Sequence, residues 1–420
     1  MTPTRRVAPS SRRAAARPRT VLLWVLAAIA ASGGLYAAAP WILPVRIVEG
    51  PLVQIAGEDG VTLIWYTTRR AACTVVVGEG GEQRSVPATA DGRRQRVRIT
   101  GLAPGRSYPY RVCAGGRPLT GPLSLHTNRA RGEPFSFIVF GDSGLGSRAQ
   151  YALALQMERA EPDADFLLHV GDLVYPDGER GRYAARFFAP YRRSLARVNF
   201  WPCLGNHDFG KGGDAAAYRE VFELPENGPA AVPDVARELA AERHYWFDYG
   251  ACRVAVLDSN VTETVLREHV APWLRQMMSA AGPRWRLVVC HHPAYTAGKY
   301  APDERLQRTI VPVVDETGVD IVFAGHDHNY QRTRPLRGGR EVEPGQGTVY
   351  IVSGAGGAAL YTAKAAAQRP DFIACIDDQH HSFTQISIDG DELRLRQVAL
   401  GGAVVDELLL RKPPAGAAAP

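Results

Sequence analysis

No Cys-x-x-Cys pair occurs among the six cysteines Cys73, Cys113, Cys203, Cys252, Cys290 and Cys375, which argues against a zinc ribbon. Cys73 and Cys113 fall in one small segment and are expected to be free to pair outside the cytoplasm. Most of the others sit in apolar, strand-like runs and read as buried thiols. The glycine-rich stretch Gly354 to Gly357 has no Lys-Ser or Lys-Thr behind it, so it reads as a tight turn and not as a nucleotide loop. Acids are absent from the first nineteen residues, which hold Arg5, Arg6, Arg12, Arg13, Arg17 and Arg19. Those six arginines match the whole formal net charge of +6 of the 420-residue chain. The remainder is electrically balanced, and no nucleic-acid partner is expected.

Directly after the arginines, Val21 to Leu43 is apolar or small throughout. Its length suits a membrane span of roughly 20 residues, with the arginines holding the amino end in the cytoplasm. Residues 1–43 are therefore expected to be a basic N-terminus and signal-anchor helix. The rest of the chain is then extracytoplasmic, membrane-anchored or secreted. A cleaved signal peptide is the rival reading, because Ala37-Ala38-Ala39 offers small residues to a peptidase. Ser11-Arg12-Arg13 gives a weaker hint of twin-arginine export.

Residues 44–128 alternate or run β-branched, as in Val61-Thr62-Leu63-Ile64-Trp65-Tyr66-Thr67, with glycine-rich turns between. A Leu-x-Pro-Gly turn at Leu102 leads into Tyr108-Pro109-Tyr110. This resembles the tyrosine-corner region of a fibronectin type III-like sandwich with Trp65 as its core aromatic. From residue 134 to 403 short apolar runs alternate with helical patterns, the signature of an α/β domain. Residues 404–420 read as a C-terminal tail. Gly210 to Arg243, rich in Gly, Pro and Ala, reads as a surface insertion.

Five of the apolar runs end in chemistry. They lead into Gly141-Asp142-Ser143-Gly144, Gly171-Asp172-Leu173-Val174-Tyr175, Gly205-Asn206-His207-Asp208, Cys290-His291-His292-Pro293 and Gly325-His326-Asp327-His328. Open α/β sheets collect ligand-binding groups beyond the carboxyl ends of their strands. Asp142, Asp172, Tyr175, Asn206, His291, His326 and His328 offer seven donors. With Asp172 counted twice as a bridge, two metal ions receive four protein donors each. Carboxylate, imidazole, amide and phenolate together suit Fe, Zn or Mn. Asp208 and Asp327 are expected to form hydrogen bonds, and Asp258 to serve as a turn former or a supporting acceptor. His169 is expected to be a satisfied core or supporting group, and His292 to point away from the donors.

The five motifs in this order resemble those of the purple acid phosphatases, within the calcineurin-like metallophosphoesterase superfamily. The resemblance covers roughly Pro134 to Val404. It implies a four-layer α/β metallophosphoesterase sandwich behind an all-β fibronectin type III-like sandwich and the N-terminal helix. It also implies that Asp142, Tyr175 and His328 hold Fe(III), with Asp172 bridging to Fe(II), Zn(II) or Mn(II) on Asn206, His291 and His326. Gly144 stands where most of the superfamily has a histidine, and the Tyr175 phenolate takes that place in the purple branch. His207 would protonate the leaving group. Tyr300 occupies the position of a further histidine common in the family, so Tyr300 and Lys299 are left to orient phosphate. The implied activity is hydrolysis of phosphate monoesters, with hydroxide supplied by the two ions. The alternatives are a phosphodiesterase acting on nucleotides or phospholipid head groups, and a surface binding protein with a vestigial hydrolase domain.

Overall fold

The computed structural model describes residues 44–160 and 164–413. The expected apolar helix Val21–Leu43 and the chain beyond Pro413 lie outside these residues. No helix among the described residues is long and apolar enough to cross a membrane. The compact unit comprises residues 47–420, and only residues 44–46 of the preceding unit are described.

Two antiparallel sheets open this unit. The strands Ile47–Gln54, Gly60–Thr67, Arg94–Thr100 and Thr89–Asp91 form one; Arg84–Pro87, Cys73–Val77, Ser107–Ala114 and Arg117–Pro118 form the other, with Leu123–His126 paired to Ser107–Ala114. Val61, Leu63, Trp65, Val75, Val97, Ile99 and Val112 are buried between them. Their alternation along each strand points one set of side chains inward. The Tyr108 hydroxyl accepts the Ala103 N–H at 2.7 Å, closing the Leu-x-Pro-Gly turn as a tyrosine corner does. Cys73 and Cys113, which lie close enough in the sequence to have paired, are both free. Cys113 lies opposite Thr74, one register position away from Cys73, so the two thiols face opposite sides of the sheet.

The second part is built on two larger sheets stacked face to face. One has the order Asn199–Pro202, Phe166–His169, Phe135–Phe140, Ser382–Asp389, Glu392–Ala399, Val404–Arg411. The other runs Tyr245–Tyr249, Cys252–Val256, Trp285–Val289, Ile321–Ala324, Val349–Ser353, Tyr330–Thr333, Ile373–Asp377. Phe137, Phe166, Ile386 and Leu395 from the first meet Val254, Leu287, Ile321 and Val349 from the second in one core. Helix Arg148–Ala160 contributes Leu153 and Met157 to that same cluster. Helices Ala271–Ser279 and Val311–Thr317 cover the second sheet through Leu274, Met278 and Val314 against Val288 and Val322. The central strands of each sheet are parallel, so their carboxyl ends lie at one rim.

One difference from the sequence reading has a local cause. The presumed tail from residue 404 is an eight-residue edge strand, Val404–Arg411, paired along Glu392–Ala399. Lys412 extends this attachment by bonding Asp320 at 2.7 Å. A helix begins at Glu304, because the Asp303 carboxylate caps the N–H groups of Arg305 and Leu306. It breaks at Ile310 and resumes as Val311–Thr317 with Pro312 in its first turn.

The small sandwich is fastened to the edge strand Asn199–Pro202. Gln54, fully buried, donates from Nε2 to the Phe200 carbonyl at 2.6 Å and accepts the Glu223 N–H at 3.0 Å. Asn199 Oδ1 accepts the Ala56 N–H at 3.0 Å, and the Tyr110 hydroxyl donates to the Ala196 carbonyl at 2.8 Å. Arg180 adds a two-pronged pair with Glu49 at 2.9 and 2.6 Å. A free edge with unpaired backbone groups is thereby covered. Gln54→Leu strands a buried carbonyl and a buried N–H, so the expected loss is about 2–4 kcal/mol of unfolding free energy, read from urea denaturation.

Candidate metal centre

Each of the five motifs leaves a strand at the common rim, and the backbone then turns sharply. Asp142, Asp172 and His326 adopt φ of 52°, 58° and 69°. Left-handed backbone is costly for residues with a Cβ and is retained where surrounding structure enforces it. Crowding supplies the enforcement. A Cβ on Gly205 would strike the backbone and carboxylate of Asp172, and one on Gly325 the carboxylate of Asp142. Glycine lets the strand ends approach closely enough for their side chains to share one volume.

All seven candidate donors meet there. Tyr175 Oη lies 2.9 Å from His328 Nε2 and 3.3 Å from Asp142 Oδ1. Asn206 Oδ1 lies 2.9 Å from His291 Nε2 and 3.0 Å from His326 Nδ1. Asp172 stands between the groups, its Oδ1 3.5 Å from His291 Nε2. Donor atoms of Asp142, Asp172 and His291 all fall within 4.8 Å of one another. The two groups differ in exposure: Asp142, Tyr175 and His328 are all buried, whereas the other group joins the buried His291 to the exposed Asn206 and the half-buried His326.

The hydrogen-bond pattern fits a metal. His291 Nδ1 faces the Val170 carbonyl at 2.9 Å and His328 Nδ1 the Ala359 carbonyl at 2.7 Å. A carbonyl can only accept, so it places the imidazole proton on Nδ1 and leaves Nε2 as a lone-pair donor. His291 Nε2 then faces Asn206 Oδ1 and Asp172 Oδ1, acceptor against acceptors, which a cation satisfies. Burial keeps His326 and His328 neutral, pulling their pKa values down to about 3 and about 4. Burial, then the Asp172 charge, raises Asp142 well above the usual carboxylate range. Burial and both carboxylates likewise push the Tyr175 phenol up. Among the described residues no Lys or Arg pairs with either carboxylate; the nitrogen-bearing side chains nearest them are the imidazoles of His207, His291 and His328. Bound metal ions would relieve both shifts by supplying the missing positive charge.

Residues 135–330 match the calcineurin-like phosphoesterase family. They form a calcineurin-like phosphoesterase domain. An uncharacterized protein of Mycobacterium tuberculosis is 26% identical over 341 residues, 68% of this chain and 62% of that protein. Purple acid phosphatase 17 of Arabidopsis thaliana is 28% identical over 222 residues, 47% of this chain and 63% of that protein. The chain thus spans slightly less than two thirds of the length of these curated relatives. The solved structure of a purple acid phosphatase from yellow lupin (Lupinus luteus) seeds shares the fold. Its TM-score is 0.70 at 19% identity, over 87% of this chain and 74% of that one.

Within the phosphoesterase domain, Gly144 shows why a donor is missing from the first motif. A Cβ there would overlap the Leu173 carbonyl, so no side chain fits, and Tyr175 enters from the neighbouring loop instead. Asp208 accepts the N–H groups of Asp172, Leu173, Val174 and Gly205 at 2.9, 2.8, 3.3 and 2.9 Å. One buried carboxylate thereby locks two donor loops together. Asp327 accepts from Thr296 Oγ1 at 2.5 Å and the Tyr300 N–H at 3.1 Å. His169, fully buried, bonds Ser143 Oγ at 2.9 Å, and His292 bonds Ser259 Oγ at 2.8 Å. Asp258 forms the expected turn, accepting the Asn260 N–H at 2.8 Å, and pairs with the buried Arg243 at 2.7 Å. His207 is part-exposed, with Nε2 4.0 Å from Asp172 Oδ2 and its ring centre 4.7 Å from that of Tyr175.

Two contributors carried no sequence signal. The loop from Gly354 packs behind Asp142, where Gly356 donates to the Gly141 carbonyl at 3.0 Å and Ala358 to the Asp142 carbonyl at 2.9 Å. Tyr361, at its end, stacks on His328 at 3.9 Å and 11°. Only the clustered glycines of this loop, read as a tight turn, pointed toward it. Asp208→Ala should cut metal affinity by about 10–100-fold, because the loops carrying Asp172 and Asn206 lose their common clamp. Metal titration monitored by calorimetry checks this, with circular dichroism to establish that the fold persists.

Proposed function

We propose that the chain is a metal-dependent phosphoric ester hydrolase with two metal ions, acting on phosphate monoesters as its purple acid phosphatase relatives' names suggest. The observation that carries the reading is the convergence of seven donors in which His291 Nε2, Asn206 Oδ1 and Asp172 Oδ1 face one another as acceptors. Asp142, Tyr175 and His328 would hold the buried ion, Asn206, His291 and His326 the exposed one, with Asp172 shared. A phenolate donor favours Fe(III) for the buried ion, with Fe(II), Zn(II) or Mn(II) beside it. When bound, the two ions supply Lewis acidity to the phosphate and lower the pKa of a water to near neutrality.

The chain's own residues do the rest. Asp172 accepts the His207 N–H at 2.9 Å, and Asp142 accepts the His326 N–H at 3.0 and 3.1 Å, so each carboxylate is oriented before any ligand arrives. His207 Nδ1 faces the Pro176 carbonyl, which accepts a hydrogen bond from it, so that the proton stays on Nδ1 and Nε2 is directed toward the site. Protonated at Nε2, the imidazole would deliver its proton to the departing ester oxygen. The exposed edge at Asn206 and His326 is where substrate would enter.

Two measurements test the reading. Purified protein should contain two metal ions and show a broad visible absorption band from tyrosinate bound to Fe(III). Asp172→Asn should lose both ions and the band, and a variant that kept two ions and full turnover would refute the shared-carboxylate role. His207→Ala should keep its metal but slow turnover by about 10²–10⁴-fold, most for alkyl esters, whose leaving oxygens are poor. Equal slowing for aryl and alkyl phosphates would count against proton donation by His207.

A further inference from the structure

We infer that Lys299, seated on Tyr300 and Tyr361, forms a subsite for a second anionic group carried by the leaving portion of the substrate. The inference rests on the phosphatase reading of the metal centre and deepens it. Tyr300 stacks on His326 at 4.2 Å and 24°, and Tyr361 stacks on His328 at 3.9 Å and 11°. The two tyrosines meet edge to face at 5.8 Å. They make a continuous aromatic wall along one side of the candidate donors, touching an imidazole from each metal group.

Lys299 caps this wall. Its ammonium sits 3.9 Å from the Tyr361 ring centre and 5.1 Å from that of Tyr300. The imidazole of His328 already covers one face of Tyr361, so the ammonium occupies the other. Lys299 is exposed, and among the described residues no carboxylate forms an ion pair with it. Arg180, Arg182, Lys211 and Arg305, by contrast, are each paired with a carboxylate. Contact with the two rings holds the charge in place without neutralising it. The backbone helps, because the Asp327 carboxylate fixes the Tyr300 N–H next to Lys299.

The position determines what the charge can recognise. A whole tyrosine ring separates the ammonium from His328, so Lys299 cannot coordinate the phosphate that sits on the metal donors. It is placed to meet a negative group one bond system further out. The chemical class that fits is a phosphoanhydride or a diphosphorylated compound, in which a second phosphate adjoins the reacting one. A charge-assisted contact of this kind discriminates against leaving groups that are neutral.

The test compares binding of inorganic pyrophosphate and orthophosphate to the metal-loaded full chain by calorimetry. The variants are Lys299→Gln, which removes the charge, and Lys299→Arg, which keeps it. In Lys299→Gln the loss of pyrophosphate affinity should exceed the loss of orthophosphate affinity by about ten-fold, and Lys299→Arg should recover most of the difference. Parallel losses for the two anions, or unchanged pyrophosphate binding, would overturn the subsite. Turnover of pyrophosphate and of phenyl phosphate by the wild-type protein separates the two levels of inference. Selective pyrophosphate binding without turnover of either would overturn the phosphatase reading and leave the subsite standing. Turnover of phenyl phosphate with parallel binding losses would do the reverse.

Discussion

Two carboxylates, Asp142 and Asp172, are buried together at the rim of two facing sheets, and among the described residues no lysine or arginine pairs with them. An isolated buried charge costs several kcal/mol, and a second one beside it costs more. Much of the surrounding structure can be understood as making that pair tenable. Backbone N–H groups of His207 and His326 point at the two carboxylates, neutral imidazoles line the space between, and the donor atoms are arranged as a cation would require. A third buried carboxylate, Asp208, is spent entirely on backbone N–H groups and holds the loops in register.

Local strain serves the same end. Left-handed backbone at Asp142, Asp172 and His326 turns their side chains away from the continuing strand directions and into one volume. The neighbouring glycines are required by space, since added methyl groups would strike the donors of the adjacent motif. Rigid strands at the base and crowded glycine turns at the rim together give the preorganisation that metal and phosphate chemistry depends on.

The small β-sandwich is part of this framework and not a loosely attached appendage. Through Gln54, Ala56 and Tyr110 it bonds to the edge strand Asn199–Pro202 and to the residues just before it. That strand ends four residues before Asn206, the exposed amide donor.

The sequence alone singled out the candidate donors, because strand-end motifs are local. An apolar run, a glycine and a donor occupy consecutive positions, so Asp142, Asp172, Tyr175, Asn206, His207, His291, His326 and His328 could be picked out without coordinates. The alternation of runs likewise announced the α/β core, and the Tyr108 turn announced the sandwich. Tertiary structure alone decided the rest, because it depends on contacts between segments far apart in the chain. Strand Val404–Arg411 lacks a clean alternation and is defined by its pairing with Glu392–Ala399. Strands Tyr245–Tyr249, Tyr330–Thr333 and Ile373–Asp377 likewise gained their identity from neighbours in the second sheet. The opposed faces of Cys73 and Cys113 follow from register, and the crowding at Gly144 from the Leu173 carbonyl beside it. Tyr361, 33 residues beyond His328 in the sequence, reaches the site only because its loop folds back over the first motif.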